Sequence, residues 1–247
     1  MSLAHARMQP VEQDRINSLM SLVPKGSSSI LDVGSRDGFL ARKLLDYTEK
    51  VTALDLVEPD IQHERITSLQ GDVTSLKLDD DSFDVVFCAE VLEHIPSHLL
   101  EQACNELKRV SKKYIVIGVP YKQDIRHSRT TCGKCGEINP PWGHVNSFDE
   151  NRIQSLFRNL NIVNVTFVGE SNEITNSLST FLMDLAGNPY GTYHQDEPCV
   201  GCDSVLENPI ERTFIQKVFT KLAIKINVVQ NFFAKSHANW IHVLIEK

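Results

Sequence analysis

The sequence predicts an α/β fold: a doubly wound, largely parallel sheet with helices on its faces. Three observations lead there. Apolar runs of strand length alternate with helical spacings along the first half of the chain. A glycine turn, Ile30-Leu31-Asp32-Val33-Gly34-Ser35-Arg36-Asp37-Gly38, joins the first run to a helix. Acids then close the next runs at Asp55, Asp72 and Glu90. Acids at successive strand ends are hard to explain by packing, whereas strand tips in a doubly wound sheet face one crevice where ligands bind.

The elements follow in order. Val11 to Leu22 is an amphipathic helix with Ile16, Leu19, Met20 and Val23 on one side, stopped by Pro24 and Gly26; it is read as a lid on a ligand or as a cover for the sheet edge. Strands are expected at 28–34, 51–56, 66–71, 83–89 and 113–119, and helices at 38–47 and 97–110. Ser97 is the expected N-cap of the latter, with Leu99, Leu100, Ala103, Leu107 and Val110 as its buried stripe. Cys88 and Cys104 fall on core elements, where a free thiol behaves as a small hydrophobe. A helix at Asp149–Leu160 buries Ile153, Leu156, Phe157 and Leu160, a sixth strand spans Ile162–Val168, and a last strand begins at Trp240. Asn188-Pro-Tyr190-Gly191 is a turn.

The domain organisation expected is a core of residues 1–170 and 238–247, with 171–237 inserted before the last strand and 125–145 as an excursion from the core. Within the insertion, Ile210, Phe214, Val218, Leu222 and Ile226 recur at helical spacing, and Lys217, Lys221 and Lys225 mark another face. The commonplace reading of this 206–235 helix is packing on the enzyme body; the alternative is contact with an anionic membrane surface or a partner.

Composition narrows the class. A chain of 247 residues with 41% hydrophobic residues holds one large core, and its net charge of −7 argues against a dedicated nucleic-acid module. Lys108, Arg109, Lys112, Lys113, Lys122, Arg126, Arg129 and Lys134 nevertheless form a local basic band. No apolar run approaches the roughly 18 residues of a membrane span, and the opening residues lack a signal peptide's apolar core, so a cytoplasmic location is the expectation.

Over residues 28–120 the chain resembles the class I S-adenosylmethionine-dependent methyltransferases, in particular their broad small-molecule subset with an acidic-Val-Leu-Glu-His segment after strand four, here Glu90-Val91-Leu92-Glu93-His94. The resemblance implies a Rossmann-like, seven-stranded sheet whose last strand is antiparallel. It also implies that Asp32, Gly34, Ser35, Arg36 and Gly38 line the methionine and ribose portion of the cofactor. Asp55, with Leu56, would hold the ribose hydroxyls, Asp72 and Val73 would flank the adenine, and Ala89 and Glu90 would sit beside the sulfonium. The family's glycine loop usually has a further Gly where this chain has Arg36, whose side chain must point away or meet the cofactor's carboxylate. A dinucleotide enzyme is disfavoured because its fingerprint, Gly-x-Gly-x-x-Gly, needs glycine at that position. Carboxylates around a sulfonium are electrostatically sensible.

The second strong signal is a pair of Cys-x-x-Cys knuckles, Cys132/Cys135 and Cys199/Cys202. The spacing lets both thiolates of a knuckle reach one ion, so the expectation is a tetrahedral zinc site. Disulfides and a redox Cys-x-x-Cys are the competing readings. Four protein ligands leave no open position, which makes the metal structural, a staple between two loops on the substrate side of the sheet.

Between the knuckles, Pro140-Pro141-Trp142-Gly143-His144 offers a flat aromatic and a histidine. His144 is a general base for the acceptor or a hydrogen-bonding prop, and His94 carries the same two readings; Tyr121 and Glu93 are weaker candidates. The function expected is methyl transfer from S-adenosylmethionine to a small-molecule acceptor, a hydroxylated metabolite or sugar. The alternatives are an RNA or protein methyltransferase that uses the knuckles for recognition, and a catalytically silent zinc-binding interaction module.

Overall fold

The computed structural model describes residues 7–193, 195–209 and 211–247. Ile210, expected in the helical stripe, lies outside the described residues. In chain order the elements are α1 (Pro10–Leu22), β1 (Ser27–Val33), α2 (Phe39–Leu44), β2 (Thr48–Asp55), β3 (Ile66–Gln70), β4 (Phe83–Ala89), α3 (Leu100–Val110), β5 (Ser111–Pro120), β6 (Thr130–Thr131), β7 (Ile138–Asn139), α4 (Glu150–Leu156), β8 (Asn161–Val168), α5 (Ser177–Leu185), α6 (Phe214–Phe233) and β9 (Trp240–Glu246). The chain divides into two compact units: Met1–Tyr121 with Phe148–Gly169 and Ala238–Lys247, and Lys122–Ser147 with Glu170–His237.

The first unit is built on a seven-stranded sheet of order β3-β2-β1-β4-β5-β9-β8. Strands β3 through β5 run parallel, and β9 is antiparallel to both β5 and β8. This is the Rossmann-like, doubly wound sheet with an antiparallel last strand. The winding reverses between β1 and β4, whose register pairs Asp32 with Phe87 and Val33 with Cys88.

Central strands covered on both faces are apolar throughout rather than alternating. All seven residues of β4 are buried, and Phe87, Ile30 and Leu31 are among the largest fully buried side chains; each contributes roughly 1.5–3 kcal/mol relative to exposure. On α3 the expected stripe residues Leu100, Ala103, Leu107 and Val110 are buried in the core together with Cys104, while Leu99, expected in the same stripe, is half-buried. Cys88 and Cys104 are both fully buried in that same cluster. Ser97 is not the cap of this helix: Leu99 holds the N-cap position. The Leu99 amide donates to Pro96 O at 2.8 Å, a tight turn that uses up residues 96–99 before the helix begins. Asp149 does cap α4, accepting from the Arg152 amide at 2.8 Å. Helix α1 covers the sheet over β5, β8 and β9 with Ile16, Leu19 and Met20.

The second unit holds the β6–β7 hairpin, both cysteine pairs and the packed helices α5 and α6. Both helices start with a capping box, on Asn176 and Thr213. The apolar stripe expected to bury α6 is reversed here. Phe214, Val218 and Leu222 are exposed, and the buried residues of the helix are Thr220 and Ala223.

Candidate functional site

In the first unit the site is assembled by the loops that leave the carboxyl ends of β1, β2 and β4, adjacent strands at the reversal point. Gly34 and Gly38 both hold left-handed backbone, φ +78° and +73°. A Cβ on Gly34 would stand 2.3 Å from Val91 Cγ2, and one on Gly38 2.3 Å from Ile61 Cδ1. The glycines are therefore required twice, for conformation and for the close approach of the loops after β4 and β2. Arg36 occupies the intervening position with φ 48° and an exposed side chain, so a residue with a Cβ adopts the left-handed turn there.

The Arg36 amide donates to Asp55 Oδ2 at 2.8 Å, and Asp55 Oδ1 accepts from the Leu56 amide at 2.7 Å. This fixes the carboxylate at the tip of β2 while leaving each oxygen a further lone pair. Leu56 itself is exposed. Asp32 is 2% exposed, and burial, reinforced by the charge of Asp55, pushes its pKa up to about 7. Asp32 Oδ2 and Ser35 Oγ are buried without a hydrogen-bond partner among the described residues. Such groups call for a polar or cationic ligand. With two glycine clearances and a fixed carboxylate beside them, the residues fit a cationic, hydroxyl-bearing nucleoside cofactor, which Asp32, Ser35 and Asp55 could hold.

The remaining expected cofactor residues are less uniform. Asp72 lies two residues beyond β3 and folds onto its own turn, with Oδ1 accepting from both the amide and the hydroxyl of Thr74 at 2.8 Å. Val73 is buried in the main core cluster. Ala89 ends β4, and Glu90 follows with φ 57°. The Glu90 carboxylate is met by the Arg15 guanidinium at 3.7 Å and by the Trp240 indole N–H at 3.3 Å. Burial raises the Glu90 pKa and the Arg15 charge opposes it. Arg15 and Trp240 were not legible as contacts of Glu90, because an arginine on an amphipathic helix and a tryptophan opening the last strand, 225 positions apart, come together only in the folded chain, where the guanidinium lies 5.8 Å from the indole ring centre.

His94 is half-buried, and burial with the neighbouring Arg36 charge lowers its pKa. Glu93 is fully buried, with burial and then Glu90 raising its pKa well above the carboxylate range. The Tyr121 hydroxyl donates to Glu150 Oε1 at 2.7 Å.

In the second unit, His144 is 8% exposed and its Nδ1 stands 2.6 Å from Gln123 Oε1. Trp142 is exposed, with φ 55°, its amide donating to Gln195 Oε1 at 2.8 Å. All four knuckle sulfurs lie within 4.8 Å of one another. Cys132 and Cys202 approach to 3.7 Å and Cys135 and Cys199 to 3.5 Å, close to the ~3.8 Å edge of a tetrahedron with 2.3 Å zinc–sulfur bonds. The two knuckles share one backbone pattern. The Cys132 amide donates to Glu137 O at 2.8 Å and the Gly136 amide to Cys132 O at 2.9 Å; the Cys199 amide donates to Ser204 O at 2.9 Å and the Asp203 amide to Cys199 O at 2.9 Å. Gly136 and Asp203 both take the left-handed conformation that closes the loop. The Gly201 amide points at Cys199 Sγ from 3.4 Å, and Val200 N–H, donating to Asn139 Oδ1 at 2.8 Å, ties one knuckle to the other. Four thiols so placed fit a closed metal site; no pair is bonded as a disulfide.

Four of the eight residues of the basic band are in ion pairs. Arg109 binds Glu106 and Asp80, Lys113 binds Asp84, Arg126 binds Asp124, and Arg129 binds Asp184.

Comparison with known proteins agrees with the geometry. The family model described as "Methyltransferase domain" matches residues 31–116. Ubiquinone biosynthesis O-methyltransferases of Albidiferax ferrireducens and Xanthomonas oryzae pv. oryzae are each 29% identical to this chain, over 93 and 117 residues. Those matches take in 33% and 43% of this chain and 37% and 48% of theirs, less than half of the curated relatives' length. A putative methyltransferase from Bacillus halodurans C-125 superposes with TM-score 0.59 at 15% identity, over 94% of this chain and 98% of that one, which shows a shared fold. Strands β2 to β4, the two glycines of the turn and the acids of the crevice fall within this match, which also takes in parts of β1 and β5, and residues 31–116 are similar to a methyltransferase domain.

Proposed function

We propose that the protein transfers a methyl group from S-adenosylmethionine to a small-molecule acceptor, with an oxygen of a hydroxylated metabolite or sugar as the favoured class. The observation that carries the proposal is Asp32, a buried carboxylate with an unpartnered oxygen beside the fixed carboxylate of Asp55 at the reversal point of the sheet. The relatives' names, which specify O-methyl transfer in ubiquinone biosynthesis, support an oxygen acceptor. S-adenosylmethionine supplies an activated methyl on a sulfonium, so the protein's task is to align the acceptor, exclude water and receive a proton. His94, whose pKa burial lowers, and His144, oriented by Gln123, are the two candidates for the proton. The net charge of −7, and the ion pairs that occupy Arg109, Lys113, Arg126 and Arg129 of the basic band, favour a small acceptor over RNA.

We further infer that the first unit is the methyltransferase core, and that the 171–237 insertion together with 125–145 is held as one body by a structural zinc on Cys132, Cys135, Cys199 and Cys202. With all four positions filled by protein, the ion's role is to cross-link. The test of the activity is incubation of the purified chain with S-adenosylmethionine and fractionated metabolite extracts. Release of S-adenosylhomocysteine matched by a one-methyl mass gain in a hydroxylated compound is expected. Turnover on RNA or protein alone would overturn the acceptor class, and failure to bind the cofactor would overturn the reading as a whole.

A further inference from the structure

The second unit carries an exposed apolar helix face. In a globular protein an amphipathic helix turns its apolar face inward, but α6 does the reverse. Its inward side is polar: Asn176 at the N-cap of α5 donates to Gln230, the Ile174 amide donates to Asn231 Oδ1, and Thr220 is bound by Arg212. Its outward side carries Phe214, Val218, Leu222, Val229, Phe232 and Phe233, with Phe214 80% and Phe232 82% exposed. Helix α5 adds Leu178, Phe181 and Leu185, exposed at i, i+3 and i+7.

Charge says what covers this face. On a chain of net charge −7, α6 holds Lys217, Lys221 and Lys225 and no acid, and no acid occurs from Arg212 to Ile245. The lysines are exposed and four residues apart, a single row beside the apolar one. A second copy docking face to face would set like charges against each other. No helix among the described residues is long and apolar enough to cross a membrane. A helix with an apolar row, a lysine row and no acid suits the boundary between headgroups and acyl chains of an anionic leaflet.

We propose that the outward face of α6 docks the protein on an anionic lipid bilayer, with the phenylalanines entering the acyl boundary and Lys217, Lys221 and Lys225 over the lipid phosphates. The proposal is independent of the methyl acceptor. The test is co-sedimentation of the full chain with phosphatidylcholine vesicles and with vesicles in which about a third of the lipid is phosphatidylglycerol. Binding to the anionic vesicles alone, released by high salt, is expected. The triple variant K217Q/K221Q/K225Q and the double variant F232S/F233S should each lower that binding by at least about tenfold. All five positions are exposed, so circular dichroism of both variants should match the unaltered chain. The lipid comparison on the unaltered chain decides without them. Absence of binding, equal binding to neutral vesicles, or a lipid-free dimer that F232S/F233S dissolves would overturn the proposal, the last in favour of a second copy as the occupant.

Discussion

The backbone amide of Arg36 donates to the Asp55 carboxylate across 2.8 Å, joining the turn after β1 to the tip of β2. Arg36 reaches that position only by adopting φ 48°. A left-handed residue with a Cβ costs about 1–2 kcal/mol, and glycine relieves most of this while losing some chain entropy. Arg36→Gly should therefore keep the hydrogen bond and raise stability by about 0.5–1 kcal/mol in urea unfolding. A lowered midpoint would show that the arginine side chain, rather than its backbone, holds the turn.

Asp32 ties stability to pH in the sense opposite to most carboxylates. Its pKa in the folded protein is about 7 against an ordinary 3.8, so the folded state binds the extra proton between those values, and the ligand-free protein loses stability as the pH rises through that window. Asp32→Asn should stabilise the ligand-free protein above pH 7, on the order of a few kcal/mol. Cofactor binding should run the other way. A cationic ligand prefers the ionised carboxylate, so affinity for S-adenosylmethionine falls by up to about tenfold per pH unit below 7. The Asn variant should bind weakly at every pH. Thermal melts and calorimetry between about pH 6 and 8 check both signs.

The four knuckle sulfurs predict one zinc per chain by elemental analysis. Cys199→Ser should abolish it and loosen the second unit, read as faster amide exchange at the paired knuckle amides of Cys132, Gly136 and Val200. The β1–β4 pairing should keep its protection. Metal-free protein with unchanged exchange at the knuckles would remove the cross-linking role.

How much the sequence disclosed varies by element for physical reasons. Strand β4 was legible end to end, because a fully buried central strand is a nearly continuous apolar run, here interrupted only by Asp84. The α3 stripe was legible because 3.6-residue spacing matched a face that is indeed buried. The same spacing misled at α6: periodicity says which residues share a face, not which way that face turns, and here polar contacts through Gln230 and Asn231 claim the inner side. The place of Asp55 at the end of β2, and of Gly34 and Gly38 in the turn after β1, was legible from the apolar runs that precede them. The Arg15 and Trp240 contacts with Glu90 were not, since they join residues far apart in the chain. Val73, expected beside a ligand, is buried in the main core cluster.

The most direct test of the crevice is isothermal titration of S-adenosylhomocysteine into the unaltered chain and into Asp55→Ala. Saturable one-to-one binding that weakens by about 1.5–3 kcal/mol in the variant is predicted, the usual loss for hydrogen bonds to a charged group. Equal affinity for both proteins, or no binding by the unaltered chain, would contradict the account.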